Sequence, residues 1–65
     1  GLLRRTLQAW FRHNVQPLAT SKALFIHRNT LEYRLNRISE LTGLDLGSFD
    51  DRLLLYIALQ LDEQR

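Results

Sequence analysis

The sequence has no cysteine and no methionine, and only one proline and three glycines among its 65 residues. Without cysteine, neither a disulfide framework nor a thiolate zinc site can stabilise so short a chain. The absence also fits a reducing, cytoplasmic compartment. No apolar run approaches the ~20 residues that a transmembrane helix needs, and the N-terminus lacks the pattern of a signal peptide. A single domain of this length can bury one small core and leaves no room for a cofactor domain or a deep enzyme cleft. There is no glycine-rich phosphate loop, no nucleophile elbow and no His-Glu-x-x-His pattern. His13 and His27 are distant in sequence and lack a carboxylate cluster, so they make a poor metal-ligand set. No enzyme, cofactor or metal site is therefore expected. Helical sequence begins immediately after Gly1, which reads as a piece of a larger protein.

Charge is divided unevenly. Residues 1–40 hold seven basic side chains and two acidic ones, whereas residues 41–65 hold two basic and five acidic. A basic front and an acidic back suit a polyanionic partner on one side only.

The hydrophobic pattern is helical throughout, with no strand-period alternation, internal repeat or low-complexity segment. Leu3, Leu7, Trp10 and Phe11 fall on one face of a helix over residues 2–13, with Asn14 as its terminator. Pro17 opens a short helix over 17–24, with Gln16 as a poor N-cap. Its run of small side chains, Ala19 to Ala23, lets another helix approach closely. Leu24, Phe25, Ile26 and His27 form a turn, pinned to the core by Ile26. A third helix over 28–42 carries Leu31, Leu35, Ile38 and Thr42 inward and ends on Gly43 as a left-handed cap. Ser48, with Asp51 three residues on, predicts the start of a last helix over 49–63. That helix has two apolar stripes. Leu53, Leu54, Ile57, Ala58 and Leu61 form one, and Leu55, Tyr56 and Leu59 form the other. The second stripe either meets the first helix or is available for association. The fold class is all-α, a small four-helix domain.

The second and third helices, joined by a tight turn, have the form of a helix-turn-helix, whose second helix lies in the DNA major groove. Phe25 occupies a turn position often held by Gly. With Leu31, Leu35 and Ile38 inward, Asn29, Tyr33, Asn36 and Glu40 face outward, flanked by Glu32 and Arg37. Arg28 at the helix start can bond bidentately to guanine, and Asn29 to adenine. Lys22, Thr30, Tyr33 and Arg37 have donors for phosphate oxygens. His27 caps the helix or touches a phosphate. Arg34 lies nearer the buried edge, where an ion pair with Asp50 or Asp51 competes with a DNA contact. The candidate DNA-binding set is thus Lys22, His27, Arg28, Asn29, Thr30, Glu32, Tyr33, Asn36 and Arg37, and the expected partner is double-stranded DNA.

The run His27-Arg28-Asn29-Thr30-Leu31-Glu32-Tyr33-Arg34-Leu35, followed by Arg37-Ile38 and later by Asp51-Arg52-Leu53, resembles the C-terminal helix-turn-helix domain of PucR-type bacterial regulators. The turn and recognition helix also resemble those of Fis-type nucleoid proteins, with Arg28, Thr30 and Leu31 in matching places. The resemblance covers essentially the whole chain. It implies sequence-specific DNA binding by the C-terminal domain of a transcriptional activator, with a sensor region before Gly1 that binds a small-molecule effector. Within that family it points to genes for the use of sugar diacids such as glucarate and galactarate. One recognition helix covers only a few base pairs, so a homodimer or higher homo-oligomer is expected. The alternative is a helix-turn-helix-like module for protein contacts without DNA readout.

Overall fold

The computed structural model describes residues 1–63 and contains four helices: α1 (Leu2–Arg12), α2 (Pro17–Leu24), α3 (Arg28–Thr42) and α4 (Phe49–Glu63). No strand occurs among the described residues. The architecture is the small all-α domain that the apolar periodicity predicts. Residues 64–65 lie outside the described residues.

α1, α2 and α3 pack against one another. α1 buries Leu7 and Trp10, with Leu3 and Phe11 partly covered beside them. Thr6 lies on the same face, fully buried, its hydroxyl donating to the Leu2 carbonyl at 2.9 Å. The helix stops at Arg12, with His13 as its cap. Two successive residues of positive φ, Asn14 (56°) and Val15 (55°), then turn the chain. The Val15 N–H returns to the Trp10 carbonyl at 2.8 Å.

α2 begins on Pro17, and Gln16 supplies no side-chain cap. The Gln16 carbonyl instead accepts from both the N–H and the hydroxyl of Thr20, at 3.0 and 2.7 Å. Thr20 and Ser21 are the buried residues of this helix. Both hydroxyls bond to carbonyls of their own chain, that of Ser21 to Leu18 at 2.9 Å, so their burial strands no polar group.

α3 turns Leu31 (0% exposed) and Ile38 inward and ends on Gly43 at φ 73°. Thr42 does not continue the inner stripe as its spacing suggests but is exposed. Its hydroxyl donates to the Ile38 carbonyl at 2.8 Å and accepts from the Leu44 N–H at 3.2 Å, which ties the helix end to the following loop. At the start of α4 the Ser48 hydroxyl accepts from the Asp51 N–H at 3.5 Å. The Asp51 carboxylate accepts from the Asp45 N–H at 2.7 Å, so the acidic half of the expected capping box clamps the loop.

The central core is Leu7, Trp10, Ile38, Leu55 and Leu59, rimmed by Leu3, Phe11, Val15, Leu35, Leu44 and Leu46. This settles which stripe of α4 faces inward. Leu55 and Leu59 are buried, and Tyr56 packs edge-on to Phe11 with centroids 5.3 Å apart. The stripe read as available for association is therefore core. Leu53, Leu54, Ile57, Ala58 and Leu61 face outward. Arg52 lies over the Trp10 ring at 5.2 Å and donates from Nε to the Leu46 carbonyl at 2.5 Å.

Candidate nucleic-acid interface

The interface is set by how α2 hands the chain to α3. Small buried residues on α2 bring the two helices together, and three residues, Phe25 to His27, join them. Phe25 takes the left-handed conformation (φ 57°, ψ 42°), which closes α2 with bonds from the Phe25 N–H to the Lys22 carbonyl at 3.2 Å and from the Ile26 N–H to the Ser21 carbonyl at 3.0 Å. Sterics disfavour this region for residues with a Cβ. The Phe25 side chain gains nothing in return within the domain, since it is 95% exposed. Its occurrence in a turn position that often holds Gly was the sequence signal for this conformation, but Phe25 was not among the expected site residues. Ile26 anchors the turn only partly buried, not enclosed.

His27 is the N-cap of α3. Its Nδ1 accepts from the Asn29 N–H at 3.0 Å. A neutral imidazole that accepts at Nδ1 carries its hydrogen on Nε2, so the cap leaves one donor on the opposite edge of the ring. The helix start is thereby fixed immediately ahead of Arg28 and Asn29, and its unsatisfied N–H groups favour an anion there.

All nine candidate residues, Lys22, His27, Arg28, Asn29, Thr30, Glu32, Tyr33, Asn36 and Arg37, are exposed. Tyr33, Asn36 and Glu40 continue the outer line of α3 from Asn29. Glu32 and Asn36 border a depression whose far wall is Asp45 and Gly47 of the loop before α4. Arg37 pairs with Glu40 at 3.6 Å, a one-turn surface ion pair that is readily exchanged for a phosphate.

Arg34 is turned away from this set. It makes neither of the ion pairs considered for it. Its Nη1 donates to the Thr6 hydroxyl of α1 at 3.4 Å. Arg4 pairs with Asp62 at 3.0 Å, and Gln8 donates to Glu63, so the acidic end of α4 is engaged with α1 and partly offsets its charge. The basic groups left on the α2–α3 face are Lys22, Arg28 and Arg37. Among the described residues no cluster of three metal-ligating side chains occurs, and no helix is long and apolar enough to cross a membrane.

A short helix, a three-residue turn and a longer helix with a polar outer face define a helix-turn-helix domain. Residues 3–61 match the PucR C-terminal helix-turn-helix domain, and the chain belongs to that family. It is similar to the carbohydrate diacid regulator of Escherichia coli (strain K12), 94% identical over the whole chain, which covers 17% of that relative. It is also similar to the proline-responsive transcriptional activator PutR of Bacillus subtilis (strain 168), 38% identical over 97% of this chain and 15% of the relative. The transcriptional activator PmfR of Paenarthrobacter nicotinovorans is 44% identical over 91% of this chain and 13% of its own length. The chain thus spans about a sixth of the length of the regulators it matches. No solved structure matches it.

Proposed function

We propose that this domain binds double-stranded DNA through the major groove as the C-terminal module of a cytoplasmic transcriptional activator. The observation that carries this reading is the start of α3, where a side-chain cap holds Arg28 and Asn29 at the tip of an exposed polar helix. In this reading Arg28 and Asn29 meet base edges, while Lys22, His27, Thr30, Tyr33 and Arg37 hold phosphates. Glu32 and Asn36 lie farther along the groove, where a carboxylate can accept from a cytosine amino group. The single domain functions as a part of a longer regulator. The names of its relatives support genes of sugar diacid use as its targets, with the effector bound by a region N-terminal to this one. A homodimer supplies the second recognition helix.

The test is fluorescence anisotropy on a duplex selected by the protein from a random pool, repeated across a salt series. Specific binding with a steep loss on raising salt is expected. Equal, weak binding to every duplex would favour the protein-contact alternative.

A further inference from the structure

We infer that the outer face of α4 is a dimerisation surface and that its occupant is a second copy of this chain. The inference builds on the dimer proposed above and names the surface, which is not the Leu55/Leu59 stripe, since that is core. α4 gives only Leu55 and Leu59 to the buried core, while Leu54 (57% exposed), Ile57 (47%) and Leu61 (63%) project into solvent. They recur at the three- and four-residue spacing that makes one continuous helical stripe. Beside the stripe runs an apolar groove of about 300 Å³, walled by Leu3, Leu41 and Ala58 and floored by Leu7, Ile38 and Leu55. Knobs and a matching groove on the same face meet the requirement for a two-fold interface, in which each copy supplies to the other what it receives.

The register follows from the sequence. Antiparallel packing of two α4 helices about a dyad between residues 57 and 58 sets Leu54 against Leu61 of the second copy and Ile57 against its Ala58. Large meets small at the centre, so the helices can approach closely. The face has one charged pair at its edge, Arg4 with Asp62, and none of the basic residues assigned to DNA. The domain measures 28 × 23 × 20 Å, so two copies joined through one face carry their α3 helices at a separation comparable to one DNA turn, ~34 Å.

The experiment needs no DNA, so its failure is separate from failure of the DNA-binding reading. Sedimentation velocity from micromolar to millimolar concentration should carry the parent chain from monomer to dimer. The Leu54→Glu/Leu61→Glu variant should remain monomeric throughout while keeping its helical circular dichroism and a cooperative melt. Because the chain has no cysteine, Ala58→Cys introduces the only thiol. Mild oxidation should link it into dimers at least tenfold faster than Asn29→Cys. A parent monomeric at millimolar concentration, an undiminished dimer in the double variant, or equal oxidation rates for the two cysteines would each overturn the assignment. A dimer formed only by a longer regulator, and untouched by these substitutions in it, would do the same and place the contact elsewhere.

Discussion

The Arg34 guanidinium donates to the buried Thr6 hydroxyl at 3.4 Å, joining α3 to α1. Thr6 commits its own hydrogen to the Leu2 carbonyl, which leaves its oxygen free to accept. Arg34 therefore belongs to the framework, although it stands between Tyr33 and the outward-facing Asn36 in sequence. Arg34→Ala is expected to lower stability by about 1 kcal/mol, the scale of one hydrogen bond with a charged donor at long distance. The salt dependence of DNA binding should stay unchanged. Chemical denaturation paired with a salt titration of DNA affinity checks both halves. A slope reduced by about one unit would return Arg34 to the phosphate contacts.

Phe25 holds a left-handed backbone without packing its ring. Phe25→Gly is expected to stabilise the domain by up to ~1 kcal/mol, since relief of the Cβ clash exceeds the added freedom of the unfolded chain. Phe25→Val should destabilise it, because β-branching worsens the same clash. Urea midpoints of the two variants should fall on opposite sides of the parent.

The helices, the turn and the outward polar face of α3 were legible in the sequence, because Leu31, Leu35 and Ile38 repeat at one period and Pro17, Gly43 and Ser48 mark ends. The orientation of α4 was not. Apolar residues at 53, 54, 55, 57, 58, 59 and 61 surround the helix, and periodicity carries no preference between two apolar sides. Only the position of Phe11 and Trp10 on α1 decides that Leu55, Tyr56 and Leu59 turn inward. Arg34 was ambiguous for a related reason. Its angle on α3 was readable, but its acceptor is a threonine 28 positions earlier, where no charge pattern could mark it. The candidate DNA contacts follow from exposure and helix position, and base assignment to Arg28 and Asn29 stays a proposal.

The His27 cap makes a separable prediction. His27→Ala removes the acceptor for the Asn29 N–H and should cost about 1 kcal/mol of stability. His27→Asn, which restores a capping oxygen, should recover most of that loss. Thermal melts of the pair test the cap directly. If the alanine and asparagine variants melt together, the Nδ1 contact contributes nothing.

Arg28 and Lys22 should respond differently to truncation. Arg28→Ala is expected to cost ~1–3 kcal/mol on a selected site and to relax base choice at one position. Lys22→Ala should weaken all duplexes alike and reduce the salt slope by about one. Repeating the selection from a random pool with each variant separates the two roles. A uniform loss for Arg28→Ala would make it a phosphate contact.

Asp62→Asn combined with Glu63→Gln removes charge at the far end of α4, where Asp62 pairs with Arg4 on the surface. Stability should change by no more than ~0.5 kcal/mol, as for exposed ion pairs generally. DNA affinity should move little at physiological salt, where charges interact over ~8 Å. A large specific loss on anisotropy would bring this end of α4 to the DNA.

Trp10 is the only tryptophan in the chain, buried where α1 meets α4, with the Arg52 guanidinium over its ring. The protein therefore carries an intrinsic optical reporter on the opposite side of the core from the groove-facing edge of α3. Emission from this indole should be blue-shifted in the native state and move to longer wavelength when α4 lifts from α1. Duplex added at saturating concentration should leave its wavelength in place. Fluorescence from one residue can thus follow opening of the α1–α4 seam in the presence of nucleic acid, without a label and without interference from the binding event.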